Sequence, residues 1–305
     1  MEKHYIAVVG GVNVDICGRS FETLIPRDSN PGSVRISMGG VGRNIAHNLS
    51  LLGEKVYLLT ALANDYYGAR LREDCAANGI DLRYACSVPD GRTSTYVYLT
   101  GPDGDMALAV CDGEIAKYVT VGYLEDRLDV LNGAAAVVMD TNIPEDSIVW
   151  LAEHCTAPIF ADPVSVTKAR KLRPVLDKLF AIKPNRIEAE ALTGEKVTDE
   201  AGAARAAEAM LTAGVRQVYL SLGALGLYCA SADERLLVPC PRVEPVNDTG
   251  GGDALTAGLV RAATAGLNVK DSASLALACA AIAIEGVDTI NPRLNLASAL
   301  QRAGL

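Results

Sequence analysis

The chain has 305 residues, of which 50% are hydrophobic and 21% are charged, and its net charge is −9 at neutral pH. This composition is that of a folded globular protein and excludes a disordered chain. The acidic balance disfavours nucleic acid as a partner, and the longest uncharged apolar run, the 13 residues from Ser272 to Ile284, is too short to cross a membrane.

The cysteines and the first residues bear on the compartment. Eight cysteines are scattered along the chain, without a CxxC pair and without histidines at metal-ligand spacing. This pattern indicates reduced thiols, not disulfides or a zinc site. Residues 1–4 lead directly into an apolar strand and lack the basic-then-apolar layout of a signal peptide. We therefore expect a cytoplasmic protein.

The first third of the chain mixes a parallel α/β pattern with strands that do not fit it. The apolar run Tyr5–Val9 ends in two glycines, which is typical of a buried parallel strand. A helix opening within 38–46, a strand at 56–62 and a helix at 67–78 follow. Strands at 33–37, 93–99 and 106–110, the last two joined by a Gly- and Asp-rich turn, break this pattern. We expect them to form a small β-sheet lid, inserted as segments 13–37 and 92–112.

From residue 121 onward, strands and helices alternate regularly. Predicted strands at 135–140, 158–162, 180–183 and 217–222 are separated by predicted helices at 121–131, 145–154, 168–179, 186–192 and 199–213. Two more strands at 226–230 and 235–238 precede three helices at 253–265, 272–285 and 294–302. Alternation of this kind predicts a three-layer α/β/α sandwich with a mostly parallel sheet. No linker divides the chain, so we expect residues 1–305 to be a single domain.

The sequence Asp248-Thr249-Gly250-Gly251-Gly252-Asp253 is the most unusual stretch of the chain. Each glycine at a helix start costs roughly 1 kcal/mol relative to alanine. Bare N–H groups at a helix N-terminus form an anion site, and Asp253 in the first turn could take a proton from a hydroxyl. A tight loop with an aspartate favoured by the helix dipole explains the same residues. The stretch alone therefore does not decide between a catalytic site and a structural loop.

Further polar residues follow the predicted strands, at the edge where open α/β sheets bind ligands. They are Asn13, Asp15, Asp140, Asn142, Asp162, Asn185 and Ser221. Each alone is commonly a cap or turn residue. Asn185 and Glu188 share one face of a helix start, where they suit water-mediated Mg²⁺ on a nucleotide or, for Glu188, simply the helix dipole. Neither GxxxxGK[ST] nor GxGxxG after a strand occurs, which weakens an oxidoreductase interpretation.

Taken in order, these motifs resemble the ribokinase-like (PfkB-type) carbohydrate and nucleoside kinases over essentially the whole chain. The resemblance rests on Asn13-x-Asp15, Gly39-Gly40 with Asn44, Asn185-x-x-Glu188 and the DTGGGD sequence at 248–253. The one departure is Gly251, where the family usually has alanine.

The resemblance implies a role for each motif residue. Asp253 would be the catalytic base, and Gly250, Gly251 and Gly252 the anion hole. Sugar or ribosyl hydroxyls would be held by Asn13, Asp15, Gly40 and Asn44, and Mg²⁺ and the phosphates by Asn185 and Glu188. The nucleotide-binding loop would be 221–226, including Ser221, Gly223 and Gly226. ATP and Mg²⁺ are the expected cofactors, and K⁺ is a further candidate, near Asp248, Gly250 and the carbonyls of 283–286.

Within this family, segments 28–32 and 39–46 and the Asp140-x-Asn142 motif resemble the subgroup that phosphorylates the 5′-hydroxyl of pseudouridine. The amide of Asn142 could bind a uracil edge, because it offers both a donor and an acceptor. Ribose, another sugar or another nucleoside is the alternative acceptor. A regulator that binds a sugar or nucleotide without catalysis has no need of Asp253.

The predicted lid also bears on assembly. Its strands carry apolar residues that one chain would bury poorly, namely Val97, Leu99, Leu108 and Val110. We therefore expect a homodimer in which two lid sheets pack together.

Overall fold

The computed structural model describes residues 5–247 and 249–305. Its strands are β1 Ile6–Val9, β2 Asn13–Ser20, β3 Gly32–Gly39, β4 Val56–Leu59, β5 Ala61–Ala63, β6 Ile80–Asp81, β7 Cys86–Val88, β8 Thr95–Thr100, β9 Met106–Asp112, β10 Ala136–Asp140, β11 Ile159–Asp162, β12 Ala181–Ile182, β13 Gln217–Ser221, β14 Leu227–Ser231 and β15 Arg235–Val238.

Its α-helices are α1 Val41–Leu51, α2 Tyr66–Ala77, α3 Val121–Glu125, α4 Leu128–Gly133, α5 Glu145–His154, α6 Val166–Ala169, α7 Arg186–Thr193, α8 Glu200–Thr212, α9 Gly251–Thr264, α10 Val269–Ile284 and α11 Leu296–Ala303. Short 3₁₀ segments occur at Glu114–Tyr118, Arg170–Lys178 and Gly223–Leu225.

The central sheet has nine strands in the order β15-β14-β13-β12-β11-β10-β1-β4-β6. Its pairs from β13 to β6 are parallel, whereas β14 and β15 run antiparallel at one edge. Alternate side chains of β1 enter two separate cores: Ala7 and Val9 belong to the core that includes residues of α5 and α8, and Ile6 and Val8 to the core that includes residues of α1, α9 and α10. The predicted α/β/α sandwich with a mostly parallel sheet is confirmed.

A separate four-stranded sheet has the order β3-β2-β8-β9. It contains the three strands predicted for the lid and a fourth, β2, which lies within the predicted lid segment 13–37 but was not predicted as a strand. β2 pairs antiparallel with β3 and parallel with β8. Because β2 follows β1 after only three residues, this sheet starts at the ligand-binding edge of the central one.

Several predicted element boundaries were wrong. The predicted helix at 168–179 is instead the short α6 followed by a 3₁₀ segment that contains Pro174, which cannot donate a helical hydrogen bond. The predicted helix at 121–131 is divided into α3 and α4. α9 begins at Gly251, two residues before the predicted start, so the glycine run is part of the helix. Among the described residues, no helix is long and apolar enough to cross a membrane.

Candidate active site

Carboxylates end two neighbouring strands of the central sheet. Asp140 ends β10 and Asp162 ends β11, and the two are paired in the parallel register. Both are buried. Asp140 accepts hydrogen bonds from the backbone N–H groups of Gly11 and Asn142, each at 2.8 Å, so it ties the end of β1 to the end of β10.

Helix α9 begins at this edge of the sheet with Gly250 as its N-cap, in the left-handed conformation (φ 80°). A Cβ on Gly250 would lie 2.1 Å from the carbonyl oxygen of Thr289, so only glycine fits without movement. The N–H groups of the first helical turn, Gly251–Asp253, have no acceptor within the helix and carry the positive end of its dipole. The predicted anion hole is therefore geometrically available, since Gly252 is exposed.

Asp253 lies in the first turn of α9 and is half-buried. Its Oδ2 accepts a hydrogen bond of 2.8 Å from Nδ2 of Asn44, on α1. Burial, and next the charge of Asp162, raise the pKa of Asp253 to about 7, although the bond from Asn44 and the charge of Lys183 oppose the shift. A carboxyl with a pKa near neutrality can accept a proton from a hydroxyl at physiological pH.

Lys183 was not predicted as a functional residue, although it lies two residues before Asn185 in the sequence stretch after β12. Its Nζ lies 3.1 Å from Oδ2 of Asp162, and both side chains are almost fully buried. The same Asp162 oxygen accepts a bond of 2.9 Å from Oγ1 of Thr256, on α9. Despite its burial, the pKa of Lys183 is raised, because Asp162, Glu188 and Asp253 surround it with negative charge. The cation is therefore held permanently beside the glycine run.

The residues predicted to hold hydroxyl groups lie at the start of β2 and at the β3–α1 junction. Asn13 donates through Nδ2 to Oδ1 of Asp15. Burial raises the pKa of Asp15, and its carboxylate lies against Gly39, where a Cβ would come within 2.1 Å of Oδ2. Gly40 has φ 96°, and a Cβ there would lie 2.5 Å from Cα of Val12. These glycines let the two chain segments touch and leave Asn13 and Asp15 half-buried at the edge.

Asn142, predicted to contact a base, follows β10 and is half-buried. Its Oδ1 accepts a hydrogen bond from Nζ of Lys168, on α6, and its amide lies against Gly11, where a Cβ would come within 2.9 Å of Nδ2. Lys168 is a second residue that sequence reasoning missed. The sequence placed it at the start of the predicted helix at 168–179, and nothing in that pattern indicated a contact with Asn142. Together the two side chains offer a cation and an amide at this edge.

Asn185 and Glu188 form a capping box at the start of α7. The N–H of Glu188 donates to Oδ1 of Asn185, and the N–H of Asn185 donates to Oε2 of Glu188, each at 2.9 Å. Both residues thus have a structural task as well as a predicted one. Within 5–247 and 249–305, no group of three acidic, histidine or cysteine side chains could hold a metal. Glu188 therefore fits only a Mg²⁺ ion whose other ligands are phosphate and water, and that role stays a prediction.

The predicted nucleotide-binding loop follows β13. Ser221 donates its N–H to the carbonyl of Pro184 at 2.9 Å and forms a parallel bridge with Asn185, so this loop and the start of α7 are adjacent. Gly223 and Gly226 both have positive φ, of 64° and 108°. A Cβ on Gly226 would lie 2.0 Å from the carbonyl oxygen of Val238, whereas Gly223 faces open space.

The monovalent-cation prediction rests partly on Asp248, which lies outside the described residues. Of the carbonyls named with it, that of Gly250 accepts the N–H of Ala254, and that of Ile284 accepts the N–H groups of Val246 and Asn247. The K⁺ site stays a prediction.

Comparison with known proteins fits this geometry. Residues 3–295 match the pfkB family of carbohydrate kinases. The chain is 35% identical to the pseudouridine kinase of Escherichia coli K12, over 98% of this chain and 96% of that protein. It is also 35% identical to the uncharacterized sugar kinase YeiI of the same organism, over 98% of this chain and 83% of that protein. A solved carbohydrate kinase from Agrobacterium tumefaciens superposes with a TM-score of 0.87 at 28% identity, covering 99% and 97% of the two chains.

The chain therefore belongs to the pfkB family of carbohydrate kinases. The family and the fold predicted from the sequence motifs are both confirmed. It is a phosphotransferase whose acceptor is a hydroxyl group of a sugar or nucleoside.

Proposed function

We propose that this kinase transfers the γ-phosphoryl group of ATP to the 5′-hydroxyl of pseudouridine. The observation that carries the catalytic part is Asp253, with a pKa of about 7, in the first turn of a helix whose N-cap and first two residues are glycines. The acceptor assignment is supported by 35% identity over nearly the full length to a pseudouridine kinase.

In the proposed reaction, Asp253 removes the proton of the 5′-hydroxyl while the 5′-oxygen of the acceptor forms a bond to the γ-phosphorus. The bond between that phosphorus and the bridging oxygen of the β-phosphate breaks, and ADP leaves. The N–H groups of Gly250, Gly251 and Gly252 receive the charge of the moving phosphoryl group. Lys183, beside them, adds a positive charge that Asp162 keeps in place.

ATP would lie along the edge formed by Asn185, Ser221, Gly223 and Gly226. The positive φ of the two glycines lets the backbone turn closely around the nucleotide. When bound, Mg²⁺ neutralises charge on the β- and γ-phosphates. Glu188 and Asn185 would orient its water ligands, and their reciprocal hydrogen bonds fix both side chains for that task. The proposal also includes K⁺, held near Asp248, as a support of the anion hole.

Recognition of the acceptor is assigned to two regions. Asn13, Asp15, Gly40 and Asn44 line the ribosyl side. Asn142 with Lys168 offers hydrogen-bond donors to the carbonyl oxygens of a uracil edge. Ribose, another sugar or another nucleoside is the alternative acceptor, because YeiI, a sugar kinase by name, is equally identical to this chain.

The four-stranded sheet would close over the acceptor, because water competes with it for the phosphoryl group. The outer face of this sheet carries the exposed side chains of Val34, Ile36, Val97, Leu99, Leu108 and Val110. We define these six residues as the outer lid face, and a second copy of the chain is the proposed cover for it.

An ATP-consumption panel with pseudouridine, uridine, adenosine, ribose and fructose 6-phosphate tests the proposal. We expect pseudouridine to give the highest kcat/KM, with one ADP formed per phosphorylated product. Activity confined to ribose or another free sugar would remove the pseudouridine assignment and keep the kinase. If pseudouridine is the preferred acceptor, Lys168→Met should reduce kcat/KM for the acceptors that carry a base and leave kcat/KM for ribose unchanged.

A further inference from the structure

We propose that Arg43, held by Asp74, is a positioning residue that fixes the side-chain amide of Asn44 against Asp253. The inference rests on the proposed role of Asp253 as the base. It concerns a chain of contacts that begins on α2, passes through α1 and ends on α9.

The side chain of Arg43 is 4% exposed, and its guanidinium has partners on two sides. On one side, Nε donates to Oδ2 of Asp74 at 3.2 Å, and Nη2 donates to the same oxygen. On the other side, Nη1 donates to Oδ1 of Asn44 at 3.2 Å and to the carbonyl of Met38 at 3.3 Å. The Nδ2 group of Asn44 then donates to Asp253 at 2.8 Å.

The chemistry of these groups fixes the direction of the chain. A guanidinium can only donate, so it must meet the oxygen of the Asn44 amide. The NH₂ group of that amide is then directed to Asp253, whose carboxylate can only accept when ionised. Without Arg43, the amide of Asn44 could rotate by about 180° and place its oxygen against the carboxylate of Asp253. The two oxygens would then repel each other.

Asp74 is needed because a buried guanidinium is costly without a partner charge. Asp74 lies on α2, and its side chain is 27% exposed. It is linked to Asp253 only through Arg43 and Asn44. The planar fork of arginine serves carboxylate, carbonyl and amide at once, which the single ammonium group of lysine cannot do in this geometry. Arg43 thus acts on the base through Asn44 and contacts no reacting atom.

A double-mutant cycle with Arg43→Gln, Asn44→Ala and the double variant tests this, using the acceptor that the wild type phosphorylates best. Loss of the pseudouridine assignment therefore leaves the test intact. We expect Arg43→Gln to lower kcat roughly three- to tenfold, the effect of one lost hydrogen bond, with the KM for ATP unchanged. In the Asn44→Ala background, Arg43→Gln should change kcat by less than about twofold, because its target is gone.

Asp74→Asn, alone and with Asn44→Ala, gives a second cycle if Arg43→Gln does not fold, and the same non-additive pattern is expected. Glu73→Gln is the matched control, because it breaks a pair with Arg70 on the same helix that is solvent-exposed, and its kcat should equal that of the wild type. Equal losses from Arg43→Gln in both backgrounds would overturn the inference while leaving the base assignment standing. Wild-type kcat in Asn44→Ala would overturn it as well.

Discussion

Lys183 Nζ lies 3.1 Å from Oδ2 of Asp162, in a pair whose side chains are 10% and 5% exposed. The pair is placed by two strands, since Asp162 ends β11 and Lys183 follows β12. A Cβ on Gly252 would lie 3.2 Å from this Nζ, so the cation lies directly beside the glycine run of α9. In the proposed reaction, the positive charge and the bare N–H groups would therefore act on the same phosphoryl group.

Removing the Lys183 charge should cost both stability and turnover. Lys183→Met leaves Asp162 buried without its partner, and losses of this kind are about 3–5 kcal/mol. We expect a clear fall in Tm and in kcat, measured by thermal unfolding and ATP turnover. Lys178→Met is the control, because its pair with Asp177 is on the surface and its loss should leave Tm unchanged. Equal Tm values for the two variants would contradict the buried-pair argument.

Asp253→Asn should retain ATP binding while turnover falls by at least about 10²-fold, the effect of losing a general base. The amide keeps the size of the carboxyl but cannot accept the hydroxyl proton. Titration calorimetry with ATP and a coupled ADP assay separate the two effects. Asp271→Asn, also in the first turn of its helix, is the control and should behave as the wild type. Near-normal turnover of Asp253→Asn would mean that another group takes the proton.

The pH profile should report the same carboxyl. Burial and the charges of Asp162 and Asp140 raise the pKa of Asp253 to about 7, against the bond from Asn44 and the charge of Lys183. Because the base must be ionised, kcat/KM should rise with pH to a plateau with a midpoint near 7. Asn44→Ala removes a bond to the ionised form, so its midpoint should move to higher pH. A flat profile between about pH 5.5 and 8.5 would exclude Asp253 as the titrating base.

The carboxyl of Asp253 should also make the stability of the fold depend on pH, and in the opposite direction from an aspartate whose pKa is lowered by folding. Since the folded-state pKa of Asp253 is raised from 3.8 to about 7, its contribution is fully present below pH 3.8 and is lost as the pH rises through 7. Asp253→Asn has no such loss. Its Tm should therefore exceed that of the wild type at pH 8, by about 2 °C or more, and the gap should close as the pH falls towards 4. A Tm gap that does not change with pH would contradict this.

The motifs and alternation in the sequence predicted the layers and most strands, because glycine runs, apolar runs and caps are local signals. Lys183 and Lys168 were missed for the opposite reason. What makes Lys183 significant is its distance from Asp162 and Gly252, residues far away in the chain, and that distance depends on strand order. The same holds for the bond between Asn44 and Asp253, which no spacing in the sequence encodes.

β2 and the 3₁₀ segment at Arg170–Lys178 show a second kind of limit. β2 contains Gly18 and charged residues and becomes a strand because β3 and β8 flank it on both sides. The 3₁₀ segment has the apolar pattern of a helix, but Pro174 removes a hydrogen-bond donor from its interior. Tertiary pairing and one missing N–H group outweigh the local pattern in these two cases.

Gly250 and Gly251 are adjacent, yet they should respond differently to alanine. Gly250 has φ 80°, and a Cβ there would meet the backbone oxygen of Thr289 at 2.1 Å, so Gly250→Ala must distort the start of α9. Gly251 has no positive φ, and its Cβ would lie 2.8 Å from the γ2 methyl group of Ile284, with the nearest backbone atom, the oxygen of Ala280, at 4.0 Å. We expect kcat to collapse in Gly250→Ala and to stay within about threefold of the wild type in Gly251→Ala, as measured by ATP turnover. Equal losses of kcat in the two variants would show that neither the positive φ of Gly250 nor its contact with Thr289 determines the effect of an added Cβ.

The outer lid face makes the assembly testable. Cross-strand pairing places Val97 opposite Val110 and Leu99 opposite Leu108, so their side chains form one continuous apolar surface. Light scattering at micromolar concentration should give twice the chain mass of 32.0 kDa. Leu108→Lys combined with Val97→Lys places two charges on that surface and should give a monomer. Tyr66→Lys, on an exposed residue of α2 outside the lid, should stay a dimer. A wild-type monomer, or a double variant that remains dimeric, would rule out lid-to-lid packing, because two buried ammonium groups without partners cannot be tolerated in such an interface.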